Sequence, residues 1–220
     1  MIGGGLGGSE LRGQKISDYT VRRLSVYYRL LDELEQQGVE VVSSAALAEL
    51  AGTNSAQIRK DLSYFGTFGK RGRGYRVAAL AKEIKKILGL DRTWRVVLAG
   101  AGNLGHALSM YHDFEKHGFS IVGIFDIDPE KIGQVWEGIR VRHLDDCEQV
   151  VREEKVELAI IVTPGGAAQE VVDRLRAAGI QGFLNFAPRK LRTDGDVQLR
   201  NVDITIELEG LTYALQTGRS

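Results

Sequence analysis

The run Gly100-Ala101-Gly102-Asn103-Leu104-Gly105 has the spacing G-x-G-x-x-G, and its surroundings decide what such a run is for. Arg95 to Ala99 (RVVLA) reads as a strand before it, and Leu104-Gly105-His106-Ala107 as the start of a helix after it. Asp126 closes the next apolar run, 21 residues beyond Gly105. Gly100 permits the tight turn, Gly102 lets backbone approach a pyrophosphate, and Gly105 lets the helix pack close to the strand. A helix N-terminus attracts the phosphate charge. Asp126 accepts hydrogen bonds from a ribose diol and repels a 2′-phosphate; no basic residue stands directly after it, so NAD(H) is expected over NADP(H). Two more strand ends point to the same edge, Thr163-Pro164-Gly165-Gly166 and Asn185-Phe186-Ala187-Pro188. Loops at the carboxyl ends of such strands line the ligand crevice, so Gly165 and Gly166 are expected close to the cofactor and Phe186 near its nicotinamide.

A second group of residues suits a polyanion. The 220-residue chain has no net charge, yet Gln57 to Arg76 holds six basic residues (Arg59, Lys60, Lys70, Arg71, Arg73, Arg76) against one acid, Asp61. A neutral protein with one basic segment is a candidate for a localised nucleic-acid contact. Ser55, Gln57, Arg59, Lys60, Ser63 and Tyr64 fall on one short helical segment, where the first residues can reach base edges and the cations neutralise phosphates. Gly69-Lys70-Arg71-Gly72-Arg73-Gly74-Tyr75 reads as a glycine-rich hairpin whose tip arginine suits a narrow minor groove. Arg22, Arg23 and Arg29 precede them on a longer helix, each equally suited to a phosphate or to an internal ion pair.

The elements that must carry these residues follow from periodicity. Ser17 is an N-cap, and Val21, Leu24, Tyr28, Leu31 and Leu34 recur at helical spacing up to Gly38. A short strand at Val39 to Val42 follows, then helices Ala45 to Ala51 and Asn54 or Ser55 to about Phe65. The basic hairpin and a helix at Ala78 to Leu88 complete the order of a winged helix-turn-helix. After Gly89 to Arg92 strands alternate with helices: strands at 95–99, 120–125, 158–163 and 182–185, helices at Leu104 to Lys116, Asp145 to Glu154 and Ala167 to Ala178. Near-continuous apolar strands in that alternation predict a parallel sheet covered on both faces, an α/β Rossmann, doubly wound arrangement. Val197 to Ile206 reads as a last strand and Leu208 to Leu215 as a short apolar helix. The expected division is a flexible tail or expression remnant at 1–14, a winged helix at 15–88, a dinucleotide-binding domain at 89–206 and a C-terminal helix at 207–220.

The composition excludes several classes. No apolar run is long enough to span a membrane, and the glycine-rich N-terminus lacks the apolar core of a signal peptide. One cysteine, Cys147, excludes an intrachain disulfide framework and suits a reducing, cytoplasmic compartment. Its neighbours Asp145, Asp146 and Glu148 are acidic, which disfavours a reactive thiolate. His106, His112, His117 and His143 show no zinc-ligand or nucleophilic-triad spacing, so neither a metal nor a catalytic constellation is expected.

Gln57-Ile58-Arg59-Lys60-Asp61-Leu62-Ser63-Tyr64-Phe65-Gly66, continuing through Phe68-Gly69-Lys70-Arg71-Gly72 to Gly74-Tyr75, resembles the redox-sensing transcriptional repressor family Rex. Val21-Arg22-Arg23-Leu24, Gly102-Asn103-Leu104-Gly105 and Leu184-Asn185-Phe186-Ala187-Pro188 support the likeness, which runs from about Lys15 to Leu215. Ser25, where a proline is frequent, and Arg73, where a small apolar residue is typical, depart from the pattern. The resemblance implies a homodimer whose C-terminal helix, here Leu208 to Leu215, is swapped onto the partner. It implies binding to palindromic operator DNA when NADH is low and release when NADH binds, with NAD+ competing without release. It also implies that Tyr111 is linked to the redox-dependent closure and that Asp203 is its acidic partner near the nicotinamide. The alternative class is an NAD-dependent dehydrogenase with a helical appendage. That reading needs a substrate domain, and only about thirty residues follow Pro188. A regulator taking a coenzyme A-like ligand is a second alternative, disfavoured by Asp126.

Overall fold

The computed structural model describes residues 16–69, 73–193 and 197–218, so the expected tail and the wing residues Lys70 and Arg71 lie outside the described residues. The chain divides between Asp91 and Arg92 into two compact units.

In the first unit, α1 (Asp18–Gln36) opens on Ser17, whose hydroxyl accepts from Thr20 N. β1 (Val41–Val42) leads to α2 (Ser44–Leu50), capped by Ser43, and α3 (Ser55–Ser63), capped by Asn54. Each cap satisfies one N–H that the first helical turn leaves unpaired, worth about 1 kcal/mol. β2 (Tyr75–Arg76) returns antiparallel to β1, and α4 (Val77–Ile87) closes the unit. Gly74 must be glycine: its φ is +74°, and a Cβ there would meet the Val42 carbonyl oxygen at 2.6 Å. Leu24, Leu31, Leu47, Ile58, Val77 and Ile84 are fully buried in one core. Each such side chain contributes about 1.5–3 kcal/mol on leaving water, which holds three short helices that would be marginal alone.

The second unit is a seven-stranded sheet in the order β5-β6-β4-β3-β7-β8-β9. Its strands are β3 (Trp94–Ala99), β4 (Phe119–Asp126), β5 (Val135–Trp136), β6 (Ile139–His143), β7 (Leu158–Ile161), β8 (Gly182–Asn185) and β9 (Gln198–Asn201). All neighbours are parallel except β5 against β6. Counted from β3, the order is that of a dinucleotide-binding Rossmann sheet, with its switch point between β3 and β7. The helices are α5 (Asn103–Ser109), α6 (Asp113–Lys116), α7 (Cys147–Glu154), α8 (Gly165–Ala177) and α9 (Ile204–Thr217). Along β3, Val97 and Ala99 enter one buried cluster while Val96 and Leu98 enter another, so both faces of the sheet are covered.

Two expectations are corrected. The helix expected at Leu104 to Lys116 breaks at Met110-Tyr111-His112, where the N–H of His112 donates to the Met110 carbonyl over only two residues. The strand expected up to Ile206 ends at Asn201, because Asp203 caps a helix there; a side-chain cap overrides the β-branched run Ile204-Thr205-Ile206. The β5–β6 hairpin was not anticipated. Its two turn residues, Glu137 (φ 46°) and Gly138 (φ 79°), have the paired positive φ of a tight hairpin. Among the described residues no helix is long and apolar enough to cross a membrane.

Candidate functional site

The second unit carries a cavity of about 460 Å³ at the carboxyl ends of β3, β4 and β7. Gly100, Gly102, Leu104, Asp126, Thr163, Pro164, Phe186 and Pro188 line it, so most of the expected cofactor residues converge there. Gly100 (φ +115°) has backbone of the next strand end against it; a Cβ would lie 2.8 Å from the Val162 carbonyl oxygen. A methyl group on Gly105 would overlap the Gly100 carbonyl oxygen, so this glycine sets the distance from helix to turn. Gly102 differs: a Cβ there would meet nothing within 4 Å. Its lack of a side chain keeps the first turn of α5 open to the cavity and without a side-chain cap. Those are the conditions for an anionic group to be received on backbone N–H groups.

Asp126 is built into the far side of this turn. Its Oδ2 accepts from Ala101 N at 2.6 Å, and its Oδ1 accepts from Ile127 N at 2.8 Å and Asp128 N at 2.9 Å. Burial pushes this carboxyl up, but the N–H groups of Asp128, Ala101 and Ile127, with Lys131 nearby, outweigh it and hold it below the ordinary aspartate range. The absence of a basic residue directly after Asp126 needs correction. The turn after β4 returns Lys131 to the site, its Nζ 3.6 Å from Asp126 and 3.4 Å from Asp128. Two carboxylates against one ammonium still leave the Asp126 end of the cavity acidic. Thr163 adds a hydroxyl that is buried without a hydrogen-bond partner among the described residues. A pre-formed acceptor, an open glycine and an orphaned hydroxyl on one cavity fit a dinucleotide.

The remaining expected residues separate. Gly165 and Gly166 do not line the cavity, and neither has a positive φ. Asn103 is exposed at the start of α5. Asp203 lines an adjoining cavity of about 540 Å³ that shares Leu104, Phe186 and Pro188 with the first. There its Oδ1 accepts from Thr205 N at 2.9 Å and Thr205 Oγ1 at 2.6 Å, which hold its carboxyl low. Tyr111 is 53% exposed, packs edge-on against Phe114 and lines neither cavity. Within one chain Tyr111 and Asp203 are therefore not brought to the same cavity. Residues the motif did not reveal are Ile127, Lys131, Leu144 and Ala167. The isoleucine directly after Asp126 was the one available signal.

In the first unit, Arg59, Lys60 and Ser63 are exposed on α3, with Ser55, Gln57 and Tyr64 half-buried beside them. Arg59 Nη1 donates to Ser44 Oγ at 3.2 Å, and Ser63 Oγ donates back to the Lys60 carbonyl at 2.7 Å. Arg22 and Arg73 are exposed. Tyr75 is a correction: only 8% exposed, it belongs to the core, where burial pushes its hydroxyl up, and it does not offer its ring to DNA. Of the three arginines left open on α1, Arg23 is the internal one, paired with Asp61 at 2.6 Å.

Residues 15–63 match the family described as "Putative DNA-binding protein N-terminus", and residues 91–189 match "CoA binding domain". The redox-sensing transcriptional repressor Rex of Carboxydothermus hydrogenoformans is 49% identical over 94% of this chain and 99% of its own. The chain belongs to the Rex family. The Rex of Syntrophobacter fumaroxidans is 47% identical over 93% of this chain and 98% of its own. Among solved structures, RSP in complex with β-NAD+ and operator DNA aligns with a TM-score of 0.88 at 40% identity, covering 93% of this chain and 94% of that one. RSP in complex with β-NADH aligns at 0.84 and 38% identity, over 93% and 96%. These Rex relatives are transcriptional repressors and not enzymes, so the dehydrogenase alternative is set aside.

Proposed function

We propose that this chain is a repressor that holds palindromic operator DNA through its first unit and releases it when NADH enters the cavity of its second. NADH and NAD+ are the ligands of that cavity. Gly100, Gly102 and Gly105 shape the turn for the pyrophosphate, Asp126 receives the adenosine ribose diol, and Phe186 and Pro188 flank the nicotinamide end. The single observation that carries the reading is Asp126, whose carboxylate is already fixed by three backbone donors at the edge of a mostly apolar cavity. Arg22, Arg59, Lys60 and Arg73 meet phosphates, joined by Lys70 and Arg71 of the wing, while Ser55, Gln57, Ser63 and Tyr64 face the bases. This division follows from charge and position on α3 and the wing.

The protein works as a homodimer in the cytoplasm. Ile204, Ile206, Leu208, Leu211, Tyr213 and Leu215 are each more than half exposed, and α9 buries none of its residues in its own chain. A helix this apolar gains stability only against a partner, here the second copy of the chain. Tyr111 and Asp203, apart within one chain, meet across that dimer and link the nicotinamide to release.

A gel-shift titration tests the reading. Palindromic duplexes selected from a randomised pool should bind tightly, weaken steeply with salt, and dissociate at far lower NADH than NAD+. An equal response to both cofactors contradicts the redox reading. Sedimentation of Leu211→Glu should give monomers where the unaltered chain gives dimers.

A further inference from the structure

Gln57 stands at the third position of α3, and its side chain is not free. Its Nε2 donates to Asp61 Oδ1 at 2.8 Å, one helical turn on, while its backbone N–H donates to Asn54 Oδ1 at 2.9 Å. An ionised carboxylate only accepts hydrogen bonds, so this amide can stand only one way round, nitrogen inward and oxygen outward. The reverse orientation would press the amide oxygen against the Asp61 carboxylate.

Asp61 is itself immobile. It is fully buried, and each oxygen accepts twice: Oδ1 from Gln57 and from Arg23 Nη2 at 2.7 Å, Oδ2 from Arg23 Nε at 2.6 Å and from Tyr27 Oη at 2.9 Å. Arg23 is steadied in turn by Thr20 Oγ1 at 3.3 Å, and Thr20 by Ser17 Oγ at 3.0 Å. A chain of hydrogen bonds thus runs from the start of α1 to the Gln57 amide. Among the described residues the Gln57 oxygen has no donor, and one Nε2 hydrogen is also left over.

The unpaired oxygen beside the remaining Nε2 hydrogen matches the major-groove edge of adenine, which offers the N6 donor next to the N7 acceptor. Guanine offers two acceptors, O6 and N7, and would set its O6 against the Gln57 oxygen. An unrestrained glutamine could turn over and donate to guanine instead. We propose that Asp61 is a positioning residue for base reading: it locks the Gln57 amide oxygen-outward, so that α3 selects adenine over guanine at one position of each half-site. The inference rests on α3 being the DNA-reading helix and adds which base is read there and what enforces it.

The test is selection of binding sites from a randomised duplex pool with the full chain, comparing the unaltered protein with Gln57→Ala and Asp61→Asn. Asparagine at 61 can accept or donate, so it no longer dictates the Gln57 orientation. The expected result is an adenine preference over guanine of about tenfold or more at one position. Both variants should lose it at that position and keep the preferences elsewhere. Retention of the preference in Asp61→Asn after its loss in Gln57→Ala overturns the proposal, as does a Gln57→Ala that alters no position. If Asp61→Asn does not fold, the Gln57 side-chain amide resonances of the unaltered protein answer the same question. An Nε2 order parameter as high as that of the rigid backbone in both the free and the duplex-bound protein supports the lock, and a freely reorienting Nε2 overturns it. Duplex affinity that survives Arg59→Ala and Lys60→Ala overturns the DNA-reading role of α3 itself, and this inference with it.

Discussion

Asp61 in the winged helix and Asp126 in the Rossmann unit are both held below the ordinary aspartate range, but by different donors. Burial pushes both carboxyls up. For Asp61 the side chains of Arg23, Tyr27 and Gln57 overcome it; for Asp126 three backbone N–H groups do so. The Asp61 side chain is wholly inaccessible, while that of Asp126 keeps 12% of its surface and faces a cavity. A carboxylate held by side chains ties two helices together and presents one of its donors to the outside. One held by backbone stays in place whatever fills the cavity and keeps an edge for a ligand. The first arrangement suits a surface that must arrive pre-formed, the second a site that must receive and release.

The largest expected effect breaks the first arrangement. Asp61→Ala leaves Arg23, Tyr27 and Gln57 without their acceptor and should cost the winged helix about 3 kcal/mol, read by denaturant unfolding. NADH affinity of the second unit should not change, and a parallel loss there would mean that the two units do not fold independently. Next comes the turn beside Asp126. Gly105→Ala forces a methyl onto the Gly100 carbonyl, and overpacking of this kind costs about 1–3 kcal/mol. Calorimetry should show the second unit melting earlier and binding NADH weakly while DNA affinity survives.

A smaller effect separates the two aspartates by pH. In the folded chain the Asp61 carboxyl titrates below the ordinary value of 3.8, so the unfolded chain takes up that proton first on acidification. The stability it supplies is present above pH 3.8 and is lost as pH falls through the folded value. Tyr27 acts in the opposite direction. Burial first, then Asp61, push its hydroxyl well above the ordinary 10.0, so its contribution is present below pH 10.0 and is lost as pH climbs through the folded value. Circular dichroism of Asp61→Asn should show a flatter acid limb for the first unit only, leaving that of Asp126 in the second.

The same contrast explains what could be read without coordinates. The donors to Asp126 lie on the glycine turn and on the two residues directly after Asp126, inside the segments that the motif spacing singled out. Two of the three partners of Asp61 stand 34 and 38 residues away on α1, and no local pattern distinguishes Arg23 from Arg22 or Arg29. Caps and core periodicity placed the helices of the first unit within a residue or two of their observed ends. The errors fall where a local hydrogen bond competes with a propensity. The Asp203 cap turned Ile204-Thr205-Ile206 from strand to helix, and the break at Tyr111 split one apolar-periodic helix into two. Lys131 escaped notice because only the folded turn returns it to Asp126.

The central claim is that a ligand held at Asp126 governs release of DNA held by α3 and the wing. Anisotropy of a labelled operator duplex, titrated with NADH and with NAD+ for the unaltered chain and Asp126→Ala, tests it most directly. The unaltered chain should release the duplex at far lower NADH than NAD+. Asp126→Ala should bind the duplex equally well but need about tenfold or more NADH to let go, the loss of hydrogen bonds to one charged group. Release of both proteins at the same NADH concentration would contradict the account.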